Sequence, residues 1–85
     1  MISVAHLHGF EAEVVELVAA PDSPITRKPL SKLDTSFYGK IMIGAIHRDG
    51  AWQVAVGDTH IHSDERVIVV CRSPHLKDVQ KLFLA

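Results

Sequence analysis

The sequence predicts a small α+β domain, in which a mainly antiparallel sheet carries a short helix after its first strand and an amphipathic helix at the C-terminus. Asp49-Gly50 and Gly57-Asp58 separate short apolar runs, as in antiparallel hairpins, because glycine tolerates the positive φ of a tight turn. Residues 66–72 (RVIVVCR) are rich in β-branched side chains, which favour a strand. Ser73-Pro74 then opens a segment with apolar residues at helical spacing.

Length and composition limit the classes of protein. Eighty-five residues with nine basic and ten acidic side chains form one domain without the basic excess that nucleic acid requires. The apolar runs are too short to insert into a membrane and the N-terminus lacks a signal-peptide pattern, so we expect a soluble cytoplasmic chain. A hydrophobic content of 47% in so small a chain indicates apolar surface that a partner covers. The single cysteine, Cys71, excludes an internal disulfide, and within an apolar strand it is expected to be a buried hydrophobic residue.

The first half of the chain offers one strand and one helix. Residues 1–9 are interpreted either as the last turns of a helix that ends at Gly9 or as a short tail. Residues 11–20 are predicted as a strand with apolar residues on both faces, ended by two prolines. Residues 25–34 are predicted as a short helix that packs through leucines, and residues 35–39 as the loop that returns to the sheet.

The central hairpin, residues 40–56, is the most informative stretch. A two-residue turn at Asp49-Gly50 pairs Arg48 with Ala51, His47 with Trp52, Ala45 with Val54 and Ile43 with Val56, whereas a three-residue loop with a bulge would shift these pairs by one. The predicted core face carries Ile41, Ile43, Ala45, His47, Trp52, Val54 and Val56. The opposite face carries Met42, Gly44, Ile46, Arg48, Gln53 and Ala55. Because this second face is half apolar, we expect another surface to cover it.

The last third holds the remaining elements. After the turn at Gly57-Asp58, residues 59–62 lead to the strand 66–72, and Ser73 is predicted to cap a helix that runs to about Leu84. The apolar stripe of this helix consists of Leu76, Val79, Leu82 and Phe83.

Catalytic machinery is not indicated. The serines occupy predicted loops, caps and tails without a nucleophile elbow, and no Gly-rich phosphate loop is present. Glu11, Glu13 and Glu16 are interpreted as exposed charges on one strand. An enzyme is therefore disfavoured.

Histidine pairs and one arginine leave alternatives open. His60 and His62 would share a face on a strand and could hold a metal ion, but the sequence fixes no third ligand, so the alternative is a solvated pair. His6 and His8 pose the same choice. Arg48, beside apolar residues, either meets an anionic ligand or a partner's carboxylate, or extends over the apolar face into water.

Several short motifs follow one another along the chain. They are Ser23-Pro24 with Pro29-Leu30 and Leu33, then residues 44–50 (GAIHRDG), Gly57-Asp58-Thr59, Glu65-Arg66-Val67 and the closing segment SPHLKDVQKLF. Together, from Glu11 to Phe83, they resemble the TrkA C-terminal domain, the C-terminal half of the RCK unit of potassium transport regulatory proteins. The chain departs from that pattern in having Asp64-Glu65 where Gly-Asp is usual and Val56 where proline is common.

The resemblance implies a cytoplasmic regulatory domain of a potassium transport system, held at the inner face of the membrane through a transporter or channel partner. It implies that residues 1–10 end a connector from an upstream domain that binds NAD or ATP, and that residues 11–85 form a homodimer without a cofactor of its own. Cyclic di-AMP is the small ligand that the resemblance suggests. Met42, Ile43, Ile46 and Arg48 are the predicted ligand or dimer-interface residues. The alternative function is a ligand-independent assembly module.

Overall fold

The computed structural model describes residues 1–9, 11–32 and 41–85. Within them, antiparallel strands form one sheet in the order β1-β2-β5-β3-β4. The strands are β1 (Ile2–Leu7), β2 (Ala12–Val18), β3 (Ile41–Arg48), β4 (Ala51–Val54) and β5 (Arg66–Arg72), and the helix α1 spans Leu76–Leu82. Short 3-10 turns span Pro24–Thr26, Leu30–Lys32 and Ser73–His75. The predicted α+β class is confirmed. Leu33, Asp34, the predicted loop 35–39 and Lys40 lie outside the described residues.

The first residues of the chain form an edge strand, so the prediction of helical turns or a tail was wrong. β1 pairs antiparallel with β2, and all of its residues are exposed. Gly9, with φ of +88°, and Glu11, with φ of +48°, lie in the connection between the two strands. Gly9 therefore marks the turn between β1 and β2 and not the end of a helix. β1 is a strand because its backbone pairs with β2, and the sequence of residues 1–9 alone does not predict that pairing.

The predicted helix over residues 25–34 is replaced by two 3-10 turns among its described residues. Leu30 N donates to Thr59 O at 2.9 Å, and Ser31 N donates to Gly57 O at 2.6 Å. These amides bond to the segment after β4 and not to carbonyls of their own helix. Pro29, which lacks an N–H group, separates the two turns.

The hairpin turn at Asp49-Gly50 forms as predicted. Asp49 and Gly50 have φ of +53° and +79°, the two positive values that a type I′ turn requires. The pairs Arg48 with Ala51, His47 with Trp52 and Ala45 with Val54 are confirmed, and the three-residue alternative is wrong. β4 ends at Val54, so the expected pair between Ile43 and Val56 does not form.

A bulge in β3 exchanges the two faces of the hairpin. Ile43 pairs with Val69 and Ala45 pairs with Ile68, which leaves Gly44 as an extra residue. The core-face prediction therefore holds for Ile41 and Ile43 but is wrong beyond Gly44. Ile46 lies in the core at 2% exposure.

One face of the sheet is covered by α1 and the turn Pro24–Thr26, and we call it the covered face. Its core consists of Val15, Leu17, Ala19, Ile25, Ile46, Ile61, Val67, Val69, Cys71, Val79, Leu82 and Phe83. The predicted apolar stripe of the last helix is thus confirmed, with Leu76 packed against the core. Cys71 is buried as predicted, and desolvation by burial raises the pKa of its thiol.

The C-terminal helix is shorter than predicted and is not capped by Ser73. The Ser73 hydroxyl donates to Glu11 O at 2.8 Å, and helical structure begins as a 3-10 turn before α1. None of the described helices is long and apolar enough to cross a membrane.

Candidate functional site: an open apolar sheet face

The second face of the sheet, which we call the open face, is apolar and has none of the described elements packed over it. Its exposed large side chains come from all strands except β5, and they are Ile2, Leu7, Val18, Met42, Trp52 and Val54. Ile68 and Val70 of β5 lie half-buried between them. Val54 is 82% exposed and Met42 60%. A contiguous apolar surface of this kind is typical of a contact site for another molecule.

Strand register places these residues together. In an antiparallel ladder, directly opposed residues share a face. Met42 is opposite Val70, and Ala45 is opposite both Ile68 and Val54. The centre of the open face is therefore continuous from β5 to the edge strand β4.

One end of the open face carries His47, Trp52 and Arg66, which we call the Trp52 cluster. The His47 and Trp52 rings meet edge to face with centroids 5.1 Å apart. The Arg66 guanidinium lies 5.2 Å from the Trp52 ring centroid and also pairs with Glu16 at 2.9 Å, so the interpretation of Glu16 as an exposed charge was wrong. Trp52 is thus held between a cation and a second ring while 44% of its surface is exposed. Tryptophan and arginine in such a setting are typical of residues that anchor an interface.

Arg48 lies on the covered side of the sheet, where it binds a carboxylate of its own chain. Its Nε and Nη2 donate to the two carboxylate oxygens of Glu65 at 2.5 and 2.7 Å, and Nη2 also donates to His60 O at 2.7 Å. Glu65 accepts a further bond from His62 N at 2.6 Å. The hydrogen bond from Arg48 lowers the pKa of Glu65, and the same bond raises the pKa of Arg48. This pair fastens the segment 60–65 to the end of β3.

The acid of this pair belongs to the dipeptide Asp64-Glu65. Asp64 has φ of +66°, a conformation that glycine adopts without strain and that aspartate tolerates better than most residues. Asp64 thus has the backbone conformation that favours glycine, which is the usual residue here in the family that the sequence resembles. This turn directs Glu65 towards Arg48.

The histidine pairs are engaged with neighbouring groups. His60 Nε2 donates to Thr26 O at 2.5 Å, and its ring centroid is 5.7 Å from that of His62. Residues 59–62 do not form the strand on which the metal hypothesis depended. His6 Nδ1 lies 2.7 Å from a Glu13 carboxylate oxygen. Within the described part of the chain, no three His, Cys, Asp or Glu side chains converge on one point.

The predicted site residues are divided between the two faces. Met42 lies on the open face, whereas Ile43, Ile46 and Arg48 point to the covered side. Sequence reasoning missed Trp52 and Val54 as open-face residues because the bulge was not placed. The available signal was Gly44, since a glycine inside a strand often marks a bulge.

The architecture is that of an RCK domain. A solved structure of an RCK domain with cda superimposes with a TM-score of 0.68 at 20% identity, covering 82% of this chain and 96% of that one. The family is given by sequence, because the model of the TrkA-C domain matches residues 14–84. The chain belongs to the TrkA-C domain family.

Two curated relatives agree with this assignment. The chain is 33% identical over 81 residues to the Trk system potassium uptake protein TrkA homolog 2 of Methanosarcina mazei. It is 31% identical over 71 residues to the Trk system potassium uptake protein TrkA of Azorhizobium caulinodans. These matches cover 95% and 84% of the chain but only 18% and 15% of the relatives, so the chain spans less than a fifth of their length.

Proposed function

We propose that this chain is a regulatory domain of a potassium uptake system that dimerises through its open face and transmits ligand state to a membrane transporter or channel. Family membership and the two potassium uptake relatives support the regulatory role. On this proposal the domain is cytoplasmic, reaches the membrane through its partner and performs no catalysis. The single observation that carries the dimer is the exposed apolar sheet face.

The size of the open face fits a second copy of the chain. Five strands about 4.8 Å apart, each about six residues long at roughly 3.3 Å per residue, present on the order of 500 Å² before side-chain relief. A stable interface buries about 800 Å² of accessible surface per partner, which a corrugated face of that extent approaches. A two-fold dimer would place each Trp52 cluster against the same face of the other copy.

The proposed interface differs from the one that the sequence suggested. Ile46 is buried in the covered core, and the guanidinium of Arg48 is engaged by Glu65 and His60 O. Met42 is retained, and Val54 and Trp52 replace the others. An anionic ligand at Arg48 would compete with the Glu65 carboxylate for the same donors.

The dimer is tested by measuring mass in solution as a function of concentration. Met42→Glu and Val54→Glu introduce a charge on the open face, and we expect both variants to be monomeric where the unmodified protein is a dimer. Gln53→Glu is the matched control, because Gln53 neighbours Val54 on the same strand but is opposite Ile46, on the covered side. A monomer at high micromolar concentration, or equal masses for all three variants, contradicts the proposal.

Ligand sensing is tested by calorimetric titration with cyclic di-AMP. We expect saturable binding near one ligand per dimer, and weaker binding by Arg48→Met, which removes the guanidinium. A folded dimer that produces no binding heat favours the second candidate function, a ligand-independent assembly module. That candidate is supported by the same open face, which suffices for association without a ligand.

A further inference from the structure

A groove runs between α1 and the end of β2, where Val18, which also belongs to the open face, is opposite Arg66. Its volume is about 430 Å³, within the range of about 300–1,000 Å³ of small-molecule sites. The groove is lined at its base by Leu17 and Phe83, which belong to the core, and along its side by the exposed side chains of Val18 and Leu84. We call it the helix groove.

The rim of the helix groove is positively charged. Lys77 and Lys81 line it from α1, and residues four apart lie on the same helical face. Like charges at this spacing repel each other weakly, and a bound anion would relieve that repulsion. Neither lysine has an ion-pair partner within the described residues, and no acidic side chain lines the groove there.

We propose that the helix groove binds a small amphipathic anion, whose apolar tail lies on Leu17, Val18 and Phe83 and whose carboxylate meets Lys77 and Lys81. The groove volume lies in the lower half of the range of small-molecule sites, which suits a ligand the size of a medium-chain carboxylate. A helix from a partner protein would need a longer groove than one that α1 borders with seven residues, about two turns. This site does not rest on the proposed function. Val18 belongs to both surfaces, so the lysines of the groove and Met42 and Val54 of the open face distinguish the two proposals.

Decanoate is the probe, titrated by calorimetry and by amide chemical shifts below its micelle concentration. We expect saturable binding that strengthens from hexanoate to decanoate, by up to roughly fourfold for each methylene that becomes fully buried. Decyltrimethylammonium has a tail of the same length and the opposite charge, and we expect it to bind at least about fivefold more weakly because it meets the same lysines. Shifts are expected at Val18, Leu84 and α1.

Variants separate this groove from the open face. The double substitution Lys77→Gln/Lys81→Gln is expected to weaken decanoate binding by about fivefold, since each exposed charge contributes modestly. Lys28→Gln/Lys32→Gln removes the same charge from residues outside the groove and is expected to leave the affinity unchanged. Absence of binding, equal affinity for both head groups, or shifts centred on Met42 and Val54 would overturn the proposal. Sedimentation with phosphatidylglycerol vesicles without binding of free decanoate would also overturn it, in favour of a lipid surface.

Discussion

The two faces of this sheet are made of the same kinds of residue, but only one of them is a core. On the covered face, Val67 and Val69 are fully buried beneath α1 and the 3-10 turn Pro24–Thr26. On the open face, Val18 and Val54 are more than half exposed. Hydrophobic residues at alternate positions of the strands therefore identify both faces as apolar. The segments that connect and follow the strands determine which of the two faces the chain itself covers.

Among the described residues, each face also carries one arginine–glutamate pair, and the two pairs differ in exposure. Arg48 and Glu65 have side chains 26% and 12% exposed, and they share further bonds with the backbone of segment 60–62. Arg66 and Glu16 are 47% and 11% exposed and join neighbouring strands β5 and β2. The first pair closes a loop over the core, whereas the second lies on a surface that we propose another copy covers.

Truncation of one aliphatic residue on each face should show the largest difference between the faces. Ile46→Ala removes a side chain that is 2% exposed and is expected to lower the free energy of unfolding by about 2–4 kcal/mol. Val54→Ala, at 82% exposure, is expected to change it by less than about 0.5 kcal/mol in the monomer. Urea denaturation at a concentration that keeps the protein monomeric measures both. Similar losses would mean that the face assignment is wrong.

Neutralising the two glutamates should give the next largest difference. Glu65→Gln leaves Arg48 partly buried without its partner and is expected to cost about 1–2 kcal/mol, less than for a fully buried pair. Glu16→Gln breaks a pair whose arginine is half exposed, and the expected cost is under about 1 kcal/mol. Chemical denaturation at neutral pH and low salt compares them directly. An equal cost would show that the bonds to segment 60–62 contribute nothing.

Glu65→Gln should also change how the free energy of unfolding depends on pH, in a direction that the pKa shift of Glu65 defines. The pKa of Glu65 is lowered on folding, so its contribution to stability is present above the ordinary glutamate pKa of 4.5. That contribution is lost as the pH falls through the lowered value, when the folded-state carboxylate takes up its proton. The stability difference between the unmodified protein and Glu65→Gln should therefore shrink below about pH 4.5. A difference that is constant down to pH 3 would contradict the pairing.

The hairpin shows how far sequence reasoning reaches in this fold. Asp49-Gly50 predicted the turn and left two registers of β3 with β4 open, and the structure has the register of the two-residue type I′ turn. The exchange of faces at Gly44 could not be derived in the same way, since a bulge depends on pairing with β5, more than twenty residues later. A one-residue shift moved Ile46 from the predicted interface into the core.

The sequence predicted that the candidate site is an apolar sheet face, but it did not predict most of the residues on that face. An apolar second face was expected from the pattern of β3, and Met42 was assigned to it correctly. The partner of Arg48 was not predictable, because Glu65 reaches it only after the chain has turned at Asp64. β1 was not predicted for a related reason. An edge strand is stabilised by its pairing with the neighbouring strand, and the alternation of apolar residues within it need not indicate a strand.

The turn that brings Glu65 to the covered side can be tested by introducing glycine at position 64. Asp64→Gly places a residue without a Cβ atom at φ of +66° and is expected to raise the free energy of unfolding by about 0.5–1 kcal/mol. Asp78→Gly is the control, because Asp78 lies within α1, where glycine costs about 0.5–1 kcal/mol. Thermal denaturation reports both signs. Destabilisation by Asp64→Gly would mean that the aspartate side chain contributes more than the backbone strain costs.

The smallest expected effect concerns a polar atom beneath the covered face. Ser23 is fully buried, and its hydroxyl makes no hydrogen bond among the described residues. An unpaired buried hydroxyl stabilises nothing, so Ser23→Ala is expected to leave the free energy of unfolding unchanged within about 0.5 kcal/mol, or to raise it slightly. Thr26→Val is the matched control, because Thr26 Oγ1 donates to Ser23 O at 2.7 Å and its loss should cost about 1 kcal/mol. A loss above 1 kcal/mol for Ser23→Ala would show that its hydroxyl is paired, and that the covered face depends on polar contacts as well as on packing.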